Sequence, residues 1–262
     1  MRWETVERRI VAALQPVEVN TGRPVTTPVL IRGQGIRQVR KPGGVTVITR
    51  APQLEAYVQR FEAPPAQPAP GTVALPLDLE DPRGRYLPRR YLLRLPRPPG
   101  DGPEALFRAQ AIPLYPSPSG PVPAGAAVLR VTVTDGDGTP LPAAYLRVLR
   151  TVNGNTTVLA RGLTDWRGRA RGEGLICVPG IPVTTWGEEN GADQPVLLTT
   201  VDAELEASFD ASLALAEEPP AAGAFPNPDV LEQNLAALPN ARIPVSLASG
   251  RTLTVTLVIN LP

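Results

Sequence analysis

An all-β protein of two tandem β-sandwiches is what the chain predicts, and three observations carry that prediction. Short segments alternate apolar with polar side chains at a period of two, as half-buried strands require. Clusters of Gly, Pro, Asp and Asn divide those segments, at spacings that suit tight turns. Helical periodicity is confined to two short stretches. The 262 residues include 33 prolines and 23 glycines, and 42% are hydrophobic. That composition suits a folded chain with long, stiff loops rather than a disordered one.

Residues 3–14, within an N-terminal segment 1–14, read as a short amphipathic helix. Trp3, Val6, Ile10, Ala13 and Leu14 lie on one face and Glu4, Glu7, Arg8 and Arg9 on the other, and Pro16 ends it. A helix this short is marginal alone, so Trp3 either caps its own domain or plugs a neighbouring subunit. The first sandwich is expected over 15–97. Its strands are seeded at 17–19, 29–31, 45–48, 72–79 and 86–95, with 53–61 open between strand and loop. Composition breaks over 96–125, which contain Pro-Arg-Pro-Pro-Gly and Tyr-Pro-Ser-Pro-Ser-Gly-Pro, and a semi-rigid interdomain linker is expected at 98–126. The second sandwich, 127–262, carries a helical insertion near 227–238. There Asn227 suits the N-cap and Pro228 the first turn. The chain closes on the strand 251–259, with Leu253, Val255, Leu257 and Ile259 on one face. That strand either completes the second sandwich or donates an edge to another chain.

The second sandwich begins with the most informative stretch. Leu129, Val131 and Val133 alternate with Arg130, Thr132 and Thr134. Asp135-Gly136-Asp137-Gly138 then reverses the chain, and Pro140-Leu141-Pro142 restarts it without ladder donors. A second strand spans 145–150, a third begins at 158, and Leu163-Thr164-Asp165-Trp166-Arg167-Gly168-Arg169-Ala170 is a turn with an aromatic lid. Over 127–205 this order resembles the carboxypeptidase regulatory-like, or prealbumin-like, β-sandwich family. The pattern D-x-x-G-x-P-L-P-x-A falls on Asp135, Gly138, Pro140, Leu141, Pro142 and Ala144. Its companion G-x-T-D-x-x-G-x-A falls on Gly162, Thr164, Asp165, Gly168 and Ala170. The resemblance implies an immunoglobulin-like or prealbumin-like fold and says little about function, since such sandwiches serve as adaptors, spacers and adhesive modules. Two echoes, Gly22-Arg23-Pro24-Val25 and Asp81-Pro82-Arg83-Gly84-Arg85, suggest a similar plan for residues 15–97.

Candidate chemistry is sparse. The chain has no histidine, one cysteine and one lysine, Lys41. Serine or cysteine triads that need a histidine base, and the common zinc sites, are thereby excluded. No phosphate-binding glycine loop occurs. Cys177 lies in an apolar run and reads as a core thiol. Asp135 and Asp137 are weighed as calcium ligands and read instead as a turn. Glu188, Glu189 and Asp193 are weighed as a carboxylate pair and read as a solvated loop. No catalytic residue, metal or cofactor is therefore expected.

The densest charge cluster is Arg83, Arg85, Arg89, Arg90, Arg94 and Arg97, beside Tyr86 and Tyr91. Nucleic acid would use such residues, but a net charge of +1 favours a protein interface. Trp3, Ile10, Arg85, Arg89, Arg90 and Trp166 are the expected partner contacts. The expected partners are other protein subunits or further copies of the chain, with no membrane span. The expected role is a non-catalytic structural adaptor, with a carbohydrate-binding or adhesive module as the alternative. The overall plan also resembles accessory baseplate or tail components of contractile, phage-tail-like injection systems. With no export signal legible, the expected setting is the cytoplasm or a particle assembled there.

Overall fold

The computed structural model describes residues 10–59, 67–97, 108–185, 196–198, 200–213 and 225–261. The expected contact at Trp3, the helix over residues 3–9 and the acidic loop at 188–193 lie outside them. The protein is all-β, and its described residues gather into two compact units. One takes residues up to Glu18, then Arg23–Pro82 and Pro88–Pro113. The other takes Val19–Gly22, Arg83–Leu87 and Leu114–Pro262.

In the first unit β1 (Ala12–Glu18), β2 (Leu30–Arg32), β3 (Arg37–Arg40), β4 (Thr46–Arg50), β5 (Val73–Glu80), β6 (Arg89–Leu95) and β7 (Gln110–Leu114) form two sheets, ordered β3-β4-β1-β7 and β2-β5-β6. Alternate residues are buried along β1, β5 and β6, so each sheet turns one face inward. Leu14, Ile48, Leu77, Leu79, Leu93, Leu95 and Ile112 supply the interior.

Three sequence expectations change here. Ala12–Glu18, expected in part as the end of a helix, is a strand paired with β4 through Ala12↔Ile48 and Leu14↔Thr46. A short helix is marginal, whereas the period-two burial of Ala12, Leu14 and Pro16 provides a full strand face. Residues 55–59, left between strand and loop, form one helical turn, α1 (Glu55–Gln59). Gln110–Leu114, inside the proline-rich stretch, is a strand.

The second unit contains β8 (Ala127–Asp135), β9 (Tyr145–Val152), β10 (Asn155–Leu163), β11 (Glu173–Val178), β12 (Val183–Thr185), β13 (Val196–Leu198), β14 (Thr200–Ser208), α2 (Pro228–Asn234), β15 (Asn240–Ala248) and β16 (Thr252–Ile259). Its sheets run β10-β9-β14-β15 and β11-β8-β16, with β12 and β13 paired separately. Leu129, Val131 and Val133 of β8 and Leu146 and Val148 of β9 share one core with Leu205, Leu247, Leu257 and Ile259. The expected helix forms, but it precedes two strands rather than one. β16 runs parallel to β8 from Thr252↔Val128 to Ile259↔Asp135, so the closing strand does complete this sandwich. Cys177 is buried with Ala126, Val128 and Leu175.

Candidate functional site

The two turns that carry the family resemblance form one clasp. The Asp135 carboxylate accepts the amides of Asp137 at 3.0 Å and Thr139 at 2.7 Å, and Gly138 takes φ 82°. Those bonds stabilise the reversal, a structural use of the acid weighed as a calcium ligand. Among the described residues no group of three or more His, Cys, Asp or Glu side chains is placed to hold a metal ion. The buried Thr164 hydroxyl donates to the Leu141 carbonyl at 2.8 Å and accepts the Ala144 amide at 2.8 Å. Thr164 therefore ties the second turn to the first. Asp165 accepts the Arg167 amide, Nε and Nη2, each at 2.9 Å.

The expected contact residues scatter. Ile10 is 57% exposed just before β1. Arg89 is fully buried, with Nη1 donating to the Pro113 carbonyl at 2.9 Å and its guanidinium 5.6 Å from the Tyr91 ring centroid. Arg90 makes a two-pronged pair with Asp78 across β5, at 2.9 and 3.2 Å. Arg85, in the second unit, sits over Tyr86. Trp166 is buried against Leu163, Tyr145, Leu87 and Leu231, with Phe225 tilted beside it. Its indole is the lid anticipated from the turn, and burial leaves it no ring face to offer a sugar.

A feature not singled out from sequence lies on the outer face of the β10-β9-β14-β15 sheet. Glu206 of β14 is 2% exposed and stands between Arg147 of β9 and Arg242 of β15. Arg147 Nε donates at 2.8 Å and Arg242 Nε at 2.6 Å. Arg161 of β10 pairs with Glu232 of α2 at 2.9 Å. Around Arg147, Glu206, Glu232, Gln233, Asn240 and Arg242 lies an open polar cleft of about 460 Å³. Pairing in register brings Arg147, Glu206 and Arg242 side by side on one sheet face, and that register depends on strands far apart in sequence. Below the helix Tyr145 and Trp166 contribute a buried hydroxyl and indole N–H that find no hydrogen-bond partner of good geometry among the described residues. Burial, then the neighbouring Tyr115 and Glu232, push the Tyr145 phenol well above its ordinary value.

The first unit has a second shallow cleft, of about 370 Å³, lined by Val29, Leu30, Ile31, Arg32, Gln38, Arg40 and Thr46. Neither cleft gathers unpaired acids, and the charged groups with resolved partners are occupied by structural bonds.

No protein-family model matches the chain, and no curated protein matches it. Among solved structures, the minor pilin of Streptococcus agalactiae is similar at 11% identity and TM-score 0.25, covering 96% of this chain and 97% of that one. The major pilin of Corynebacterium diphtheriae is similar at 12% identity and TM-score 0.23, covering 96% of this chain and 59% of that one. Likenesses this distant carry nothing about activity or partners.

Proposed function

We propose that the chain is a non-catalytic structural adaptor that holds other protein subunits in a large assembly. The observation that carries this reading is the fate of the two buried acids described in the second unit. Asp165 is neutralised by Arg167, and Glu206 by Arg147 and Arg242. Both acids brace sheet and turn rather than pointing into a cavity, and a chain without histidine lacks the usual partner for acid–base work.

What remains accessible is sheet face, strand edge and shallow polar cleft, the materials of protein–protein contact. The proposed setting is a particle assembled in the cytoplasm, of the contractile, phage-tail-like class that the chain's plan resembles. Partner contact is proposed at Ile10, Arg85 and Arg90. Trp3 is a proposed contact from sequence alone. Arg89 and Trp166 serve such contact by supporting the surface from within.

Purification of the untagged protein from its native cell tests the reading. Defined protein partners should co-purify, and replacing Ile10 and Arg90 with Asp should weaken their recovery. Isolation as a free monomer with measurable turnover would end the adaptor reading.

A further inference from the structure

Sheet edges expose unpaired backbone groups, and folded proteins normally blunt them with charge, proline, a bulge or brevity. Most terminal strands among the described residues follow that rule. β2, β12 and β13 are each three residues long. β3 carries Arg37 and Arg40, β6 carries Arg90 and Arg94, and β7 carries Pro113. β15 carries Arg242 and Pro244, and β11 opens on Glu173. β10 shifts register between Val158 and Ala160, and the Asn20 side chain bonds both backbone groups of its Arg161, at 2.7 and 3.0 Å.

β16 is the exception. Its eight residues, Thr-Leu-Thr-Val-Thr-Leu-Val-Ile, include no charge and no proline, and its ladder to β8 has no register shift. It ends its sheet, and no described residue pairs with its far side. The Val128 amide donates to the Arg251 carbonyl at 2.8 Å, which fixes the parallel ladder's phase. Odd-numbered residues of β16 bond to β8, so Thr252, Thr254, Thr256 and Val258 aim their N–H and C=O groups outward. The side chains of these four are exposed, Val258 by 49%.

We infer that this edge pairs with the same edge of a second copy of the chain. An antiparallel pairing about a twofold axis at Val255 sets Thr254 opposite Thr256 and Thr252 opposite Val258, using all four outward residues in each strand. That gives about eight inter-chain backbone bonds along roughly 27 Å of edge. The uncharged strand selects no charged partner and meets no like charge in its twin, and threonine faces threonine across the seam. Two three-stranded sheets thus become one of six. The dimer stands apart from whichever other subunits the adaptor holds.

Sedimentation velocity on the full chain, over roughly a hundredfold range of concentration, tests the inference. A concentration-dependent dimer is expected, and T254K/T256K should weaken it by at least about tenfold while a control, V152K, leaves it intact. Circular dichroism establishes that each variant is folded. Amide exchange on the unaltered protein supplies an independent readout, because protection at Thr252, Thr254, Thr256 and Val258 should rise with concentration. A strict monomer, a dimer that survives the lysines in folded protein, or protection of these amides only after another protein is added would each overturn the inference.

Discussion

Thr164 binds both halves of a turn pair with one hydroxyl, which makes it a sensitive side chain in the second unit. Thr164→Val keeps the shape but orphans the Ala144 amide and the Leu141 carbonyl. Stability to denaturant should fall by about 1–3 kcal/mol. Two residues earlier, a Cβ on Gly162 would meet Ile176 Cγ1 at 2.6 Å. Gly162→Ala should therefore cost about 1–3 kcal/mol by overpacking, with no gain from the stiffer chain. Tyr145 gives a pH test. Its phenol is held above the ordinary 10.0 in the fold, so the unfolded chain loses that proton first. Its contribution is complete below pH 10.0 and declines as pH rises further, by up to about 1.4 kcal/mol per pH unit. Tyr145→Phe should flatten that decline in denaturation curves taken at alkaline pH. The variant should match or exceed the native protein near neutrality, because the lost hydroxyl has no good partner.

At the scale of elements, α2 illustrates both what sequence discloses and what it conceals. Its start was legible because capping is local, and the Asn227 side chain does accept the Asp229 amide at 3.2 Å. Its role was not, because the floor beneath Leu231 is built from Leu87, Tyr115, Tyr145, Leu163 and Trp166. Leu231→Ala should cost about 2–5 kcal/mol. Hydrogen exchange should then accelerate in α2 and at the β10 end near Leu163 before it does in β8. β15 was concealed differently. Ala241, Ile243, Val245 and Leu247 alternate inward, but Pro244 interrupts the run and argues against a strand, although an edge position tolerates proline. Short spacing located the two turns around Asp135 and Thr164, and the hydroxyl that ties them together is seen only in the structure. The Arg147–Glu206–Arg242 bridge needed the register of three strands before its members could be seen together.

For the whole molecule, fold class follows from alternation and turn residues, whereas the path of the chain does not. Val19–Gly22 and Arg83–Leu87 belong to the unit that also holds Leu114–Pro262. Leu87 N–H bonds the Tyr115 carbonyl at 2.8 Å, and Ser117 N–H bonds the Arg85 carbonyl at 2.9 Å. No local pattern announces such pairings. A fragment beginning at residue 127 should accordingly expose Tyr145 and Trp166, bind a hydrophobic dye and aggregate. A net charge of +1 and an uncharged edge strand lead to a further expectation. The self-association constant should change less than about threefold between low and high salt, unlike one steered by charge.

The parallel placement of β16 against β8 also imposes an order of manufacture. Roughly 120 residues of synthesis separate the two strands, or about 6–25 s at ribosomal speed. Throughout that interval β8 has emerged with one flank bare and cannot be sheltered by its own neighbour. A nascent chain of this protein is thus open to capture by a chaperone, or by a neighbouring ribosome's product, until β16 emerges.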